Sequence, residues 1–326
     1  MNLDLRPLTV SEFLDRAFSI YRHRFLLFVG LMAPQAVLSL GAALIWGLIT
    51  APLQNDGVPD TPVGLLVGGG IGLVLFTLGH WVLYVLGAGA TSAAVSDMYG
   101  RMVPEIGTAF AAARARVGSL LWLTFLMALR LGGVMLAFLA VPFALLIAAG
   151  VGEPGNTPSA LAVAGFVALM FAMIAAMVLV VWMALRYAVG IPAVMLEPIG
   201  GGLALQRSVA LTRGLLGRTF LLMICTTMVA YAMMMVLQMP FIVAMLVVGP
   251  ETRAGFWLNM IGTATGTAGQ TLTAPIIAIG VAVLYFEARV RHEALDLQVM
   301  TEALAPSPAP PAATGYVVAP PPALPQ

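Results

Sequence analysis

Few residues in this sequence could do chemistry, and those few are mostly basic. Arg130 falls about ten residues into a long apolar run, where a charge costs about 2.5 to 3.5 kcal/mol to place in a membrane. It therefore needs water or an acceptor. No acid lies at comparable depth in any apolar run, which leaves His80, Gln238, Gln270 or a carbonyl freed near Pro142. Such an Arg either contacts a lipid phosphate or anionic substrate, or is hydrogen-bonded between helices or snorkelling to the interface. His80, followed by Trp81, has no carboxylate or Cys close by for metal or triad chemistry and reads as a satisfied interhelical His. Arg22, Arg114 and Arg213 recur at matching places in three amphipathic stretches, where they suit anionic headgroups. Met223, Met228, Met233, Met234, Met235 and Met239 crowd one run, with Met170, Met173 and Met177 on another. Thioethers can bind copper, but flexible core packing is the simpler reading. Thr263, Thr265, Thr267, Gln270, Thr271 and Thr273 precede Pro275 in a segment that could line a cavity. Their hydroxyls could equally bond their own helix carbonyls.

Several kinds of chemistry are excluded outright. All fifteen basic residues are Arg, so Schiff-base chemistry, a Walker A loop and a Ser-Lys dyad have no Lys to use. The lone Cys225 permits no internal disulfide and no four-Cys zinc site. No His-Glu-x-x-His, Gly-x-Ser-x-Gly or carboxylate pair occurs within an apolar run. The expectation is a non-enzyme without cofactor or metal. A net charge of +1 gives no electrostatic case for nucleic acid.

The elements that must position these residues are helices in lipid. Hydrophobic residues make up 61% of the chain and charged residues 9%, against about 25% charged in a soluble domain. Runs long enough to cross a bilayer cover Phe25 to Thr50, Val63 to Val95, Leu120 to Ala149, Ala160 to Leu185, Thr219 to Val248 and Phe256 to Phe286. The first run is too long and too late for a signal peptide and is read as a retained span. Pro34, Pro142, Pro240 and Pro275 are natural kink sites within the runs. Thirteen of the fifteen Arg residues fall in the N-terminal segment, 96–119, 186–218 and 287–326, whereas 51–62, 150–159 and 249–255 hold Arg253 and four acids. That asymmetry puts both termini in the cytoplasm of a bacterial cell, with the chain in the inner membrane. The Pro- and Ala-rich residues 305–326 cannot bury enough surface to fold and form a disordered tail on a membrane domain at 1–304. Glu287 to Glu293 read as an ordinary solvated helix end.

A repeat runs through the membrane domain. Leu14, Phe18 and Arg22 match Ile106, Phe110 and Arg114, and then Leu205, Val209 and Arg213, each with spacing i, i+4, i+8. Pro142-Phe143 and Pro240-Phe241 also correspond. Three units, about 8–100, 101–199 and 200–300, each hold an interfacial amphipathic helix followed by two spans. The fold expected is thus all-α, a polytopic bundle of six transmembrane helices with about three cytoplasmic interfacial helices and a threefold internal repeat. Chance similarity among Ala-rich and Leu-rich helices is the alternative to the repeat.

Three groups of residues carry a resemblance. They are Arg6-Pro7-Leu8-Thr9 with Glu12 and Leu14 to Phe18, Arg207-Ser208 with Leu211 to Gly214, and Leu284 to Arg291 with Asp296. The chain resembles an uncharacterised bacterial family whose members look like the membrane domain of some glycerophosphodiester phosphodiesterases. Catalysis in those enzymes belongs to a separate soluble barrel with a His-Arg-Gly motif. Here His23-Arg24 is followed by Phe25, and no room is left for a barrel. The resemblance therefore implies a membrane domain without the enzyme.

Two functions fit these residues. One is a non-catalytic membrane protein whose Arg-bearing helices engage anionic lipid or a membrane partner, with a protein partner or second copy also open. The other is a transporter of a small molecule or lipid through a central cavity lined by Arg130, Gln238 and the Thr residues near Gln270. A reporter fused near Asp56 should behave as external and one fused after Met300 as internal; the reverse would overturn the topology.

Overall fold

The computed structural model describes residues 9–55, 63–100, 102–150, 159–249 and 252–294, with the backbone alone for 46–55 and 63–68. Expectations for Arg6, Arg101, the loops around Asp56, Glu153 and Glu251, and the tail at 305–326 lie outside the described residues.

All regular structure among the described residues is helical. Helix α1 (Val10–His23) begins at a capping box, in which the Thr9 hydroxyl accepts the Glu12 N–H at 3.3 Å and the Glu12 carboxylate accepts the Thr9 N–H at 2.8 Å. Phe13, Ala17, Ile20 and Tyr21 share one face and are buried. The chain then runs through α2 (Phe25–Asn55), α3 (Val63–Tyr99), α4 (Ile106–Ala115), α5 (Val117–Ala148), α6 (Ala160–Tyr187), α7 (Gly190–Leu196), α8 (Gly201–Leu211), α9 (Leu216–Val248) and α10 (Arg253–Glu293). Six of these, α2, α3, α5, α6, α9 and α10, are long and apolar enough to cross a membrane. Their bounds fall within a few residues of the six runs read from the sequence.

One short helix was not foreseen. α7 lies in what reads as a loop, yet Gly190, Pro192, Ala193, Val194 and Met195 are all buried. Pro192 is tolerated because the first turn of a helix has no intrahelical use for its missing N–H.

The long helices pair as hairpins, α2 with α3, α5 with α6 and α9 with α10. Each short helix ahead of a hairpin packs on the two long helices of another: α4 on α2 and α3, α8 on α5 and α6, α1 on α9 and α10. Neighbouring hairpins touch through α3 and α5, α6 and α9, and α10 and α2. Burial is uneven along this assembly. It gathers at the end holding most of the Arg residues, hereafter the basic end, in the starts of α2, α5 and α9 and the ends of α3 and α10. Toward the opposite end Ile45, Leu73, Leu136, Ile147, Leu246 and Val247 are exposed. In water so much apolar surface would drive aggregation; in hydrocarbon it is simply solvated. The helix α10 is the exception, with 67% of its most apolar window buried against 11% to 28% in the other five spans.

The three Met residues at 170, 173 and 177 are exposed on α6, which corrects their reading as core filler. Without a polar face, an apolar helix gives no periodicity from which to tell core from lipid.

Close approach is tightest where α8 starts against α5. A Cβ on Gly201 would stand 2.7 Å from the Leu123 nitrogen and nearer still to the Ser119 carbonyl oxygen, and neither backbone atom can yield cheaply. On Gly202 the nearest atom would be 4.0 Å away. Gly201→Ala should therefore lower stability by about 1 to 3 kcal/mol through overpacking, seen as a drop in the midpoint of heat-induced loss of the monodisperse peak in detergent. Gly202→Ala should leave that midpoint unmoved; equal effects would refute this packing.

Candidate functional site

Arg130 does not meet any of the acceptors expected for it. It reaches the Tyr187 hydroxyl at 3.5 Å, with its guanidinium carbon 5.9 Å from that ring's centre. Tyr187 ends α6, one residue after Arg186, which lies 4.5 Å over the Trp182 ring. The first turns of α5 belong to the core at the basic end, where Leu120 and Leu123 are buried, and Arg130 is exposed about two turns further along the helix.

His80 is satisfied between helices. Its Nε2 is 3.1 Å from Gln35 Nε2 and its Nδ1 is 3.2 Å from the Ser39 hydroxyl. This joins α2 to α3, as interhelical polar residues do in membranes. Gln238 is half-buried and presses its amide against Gly266. It lines an open groove of about 580 Å³ between α9 and α10, with Tyr231, Asn259 and Thr263. Gln270 is exposed on α10. Neither Arg130 nor Gln270 lines that groove, so these residues do not converge on one cavity. The Thr hydroxyls at 263, 265, 267 and 271 each donate to the carbonyl four residues back at 2.8 to 2.9 Å.

What does converge is a set of charges at the basic end. Both Glu197 carboxylate oxygens accept from Arg207 Nε at 3.0 Å, and one also accepts from the Tyr285 hydroxyl at 2.8 Å. Arg207 also pairs with Glu293, which Arg289 holds at 2.8 Å. Glu287 pairs with Arg218 at 2.5 Å and Arg291 at 3.0 Å. Arg116 donates to the carbonyls of Val194 and Glu197 at 2.7 and 2.5 Å. These contacts tie α5, α8, α9 and α10 to the segment at α7. Burial works against the charged form of Arg207, but hydrogen bonds to Glu197 and Glu293 outweigh it and raise its pKa above the ordinary Arg value.

This cluster corrects the reading of residues 287 to 293 as an ordinary solvated helix end, since Glu287 is only 4% exposed. The signal was present in Arg207, Tyr285, Glu287 and Arg289, all quoted above for the family resemblance. Only the pairs Arg289–Glu293 and Glu287–Arg291 are four residues apart, whereas the Tyr285–Glu197 bond spans 88 residues and leaves no local spacing to read.

Arg22, Arg114 and Arg213 are in a different position. All three are exposed, and no acid pairs with them among the described residues. Near Arg22, Tyr21 donates its hydroxyl to the Leu272 carbonyl at 2.7 Å, and burial pushes its pKa up to about 12. Among the described residues no group of three or more His, Cys, Asp or Glu could hold a metal ion.

Taken together, the helices define a multi-pass α-helical membrane protein. Compared with protein-family models, with curated proteins and with solved structures, the chain matches none.

Glu287→Leu should cost about 3 kcal/mol, because it removes a largely buried carboxylate that two guanidinium groups share. Adding Arg218→Leu should recover part of that loss. Thermal midpoints of the two variants in detergent would check this, and a neutral single variant would show that the pairs do not hold the helices.

Proposed function

We propose that this is a non-catalytic protein of a bacterial inner membrane, with cytoplasmic Arg-bearing helices that engage anionic lipid headgroups. The observation that carries this reading is a division among the basic residues. Arg116, Arg207, Arg218, Arg289 and Arg291 are used within the fold. Arg22, Arg114 and Arg213 stand at the ends of α1, α4 and α8 with their guanidinium groups exposed. Cations at helix C-terminal ends are favoured by the backbone dipole, and each near a membrane surface is worth about 1 kcal/mol toward anionic lipid.

The order of contacts supports reading the three Arg-bearing helices as equivalent. Each packs on a hairpin other than the one it leads into, and the third hairpin meets the first through α10 and α2. On this reading the repeat is threefold about an axis along the membrane normal, with α7 added before the third unit. The excess of Arg at this end supports a cytoplasmic placement. The resemblance to a phosphodiesterase membrane domain points the same way.

Replacing Arg22, Arg114 and Arg213 together with Gln should weaken binding of a short-chain phosphatidylglycerol by about fivefold per contact removed, read by native mass spectrometry of the full chain in non-ionic detergent. Arg253→Gln, at the opposite end, should change nothing. Equal binding by the triple variant would sink the reading.

A further inference from the structure

Beside Arg22 lies a cavity whose chemistry is more specific than a cationic surface. It holds about 390 Å³ and is lined by Asp15, Phe18, Ser19, Tyr21, Arg22, Phe25 and Met233. Asp15 and Arg22 are two turns apart on one face of α1, about 10.5 Å along its axis at 1.5 Å per residue. Both are exposed, and neither pairs with another side chain among the described residues. Helical side chains tend to lean back toward the helix N-terminus, which is the direction from Arg22 to Asp15.

We infer that this cavity binds a phosphoethanolamine headgroup, with the phosphate on Arg22 and the terminal ammonium on Asp15. The inference rests on the lipid-engaging reading above and names the headgroup for one of its three Arg positions. A purely anionic group would meet the Asp15 carboxylate and be repelled; a simple cation would meet Arg22. A ligand with both charges a few bonds apart satisfies each at once. The guanidinium suits a phosphate through paired N–H donors, and a carboxylate accepts hydrogen bonds from a primary ammonium.

A quaternary ammonium would instead require open aromatic faces around it. Two of the cavity's three rings, Tyr21 and Phe25, already pack against each other and do not form such a cage. The Tyr21 ring meets Phe25 edge-on at 5.3 Å, and its hydroxyl is held by Leu272 of α10. The same rings, with Phe18 and Met233, give an apolar floor suited to the ester end of a lipid. Leu26, 79% exposed just beyond, continues that surface into the span.

The test uses the full chain in non-ionic detergent, with short-chain phosphatidylethanolamine, phosphatidylcholine and phosphatidylglycerol compared by native mass spectrometry. The expected result is a preference for phosphatidylethanolamine over phosphatidylcholine, reduced by about fivefold in Asp15→Asn, the worth of one surface charge contact. Arg22→Gln should weaken binding of all three lipids, whereas Arg22→Lys should keep part of it. Asp15 and Arg22 are exposed, so these variants should retain the wild-type thermal midpoint. A preference unchanged in Asp15→Asn, or equal binding of phosphatidylcholine, would overturn the inference while leaving the triple-Gln result to judge the broader reading. Competition by free phosphoethanolamine as strong as by the lipid would overturn assignment of the ligand to the membrane.

Discussion

Helices in hydrocarbon gain little from apolar contact with one another, because lipid tails are as apolar as the side chains they would replace. A bundle in which most spans are covered on one side needs another way to fix its arrangement. Here carboxylates at one end supply it. Glu197, Glu287 and Glu293 each gather donors from two different residues, and those donors lie on α8, α9 and α10. Each carboxylate is thus a joint where separate helices are held in register. Glu197 and Glu293 are only partly desolvated, and the more deeply buried Glu287 has two guanidinium partners to offset its burial. Away from them the helices diverge into lipid.

The placement of α10 follows from this arrangement. It carries Tyr285, Glu287, Arg289, Arg291 and Glu293 on its last turns, and it must reach α1, α2, α3, α7, α8 and α9. Small residues make that proximity feasible. Thr226 of α9 lies where a Cβ on Gly280 would come within 3.1 Å, so the two helices meet almost backbone to backbone. In its half away from the basic end, Gly266 takes the Gln238 amide and Gly269 faces Leu237. The Thr hydroxyls of α10 bond inward to their own helix, which lets a polar sequence sit inside an apolar assembly without unsatisfied groups.

Much of the fold was legible in the sequence, because uninterrupted apolar runs between charged loops leave little choice about where a chain crosses. Short helices do begin near residues 10, 106 and 201, where apolar residues recur at helical spacing in the sequence. The failures have physical causes. α7 is seven residues long with a proline in its first turn, too short for any period to show. The acceptor of Arg130 was missed because Tyr187 stands 57 residues away at the end of another helix. His80 was read correctly, since a lone imidazole without acids or thiols nearby has little to do except join two helices. The shared i, i+4, i+8 spacing that ends on Arg22, Arg114 and Arg213 is visible in the sequence, but which guanidinium groups pair within the fold required coordinates.

The seating of α1 on α9 and α10 has a consequence for how the chain is made. Translation delivers α1 more than two hundred residues before α10, and Arg207 and Arg218 well before Glu287 and Glu293. During that interval the early helix has no groove to occupy, and the cations have no counter-charge from α10. Hydrophobic faces such as Phe13 and Ile20 must wait against lipid or an insertase until the last hairpin emerges. Closure of this fold therefore waits on α10, and quality control has a natural checkpoint in whether α10 has arrived.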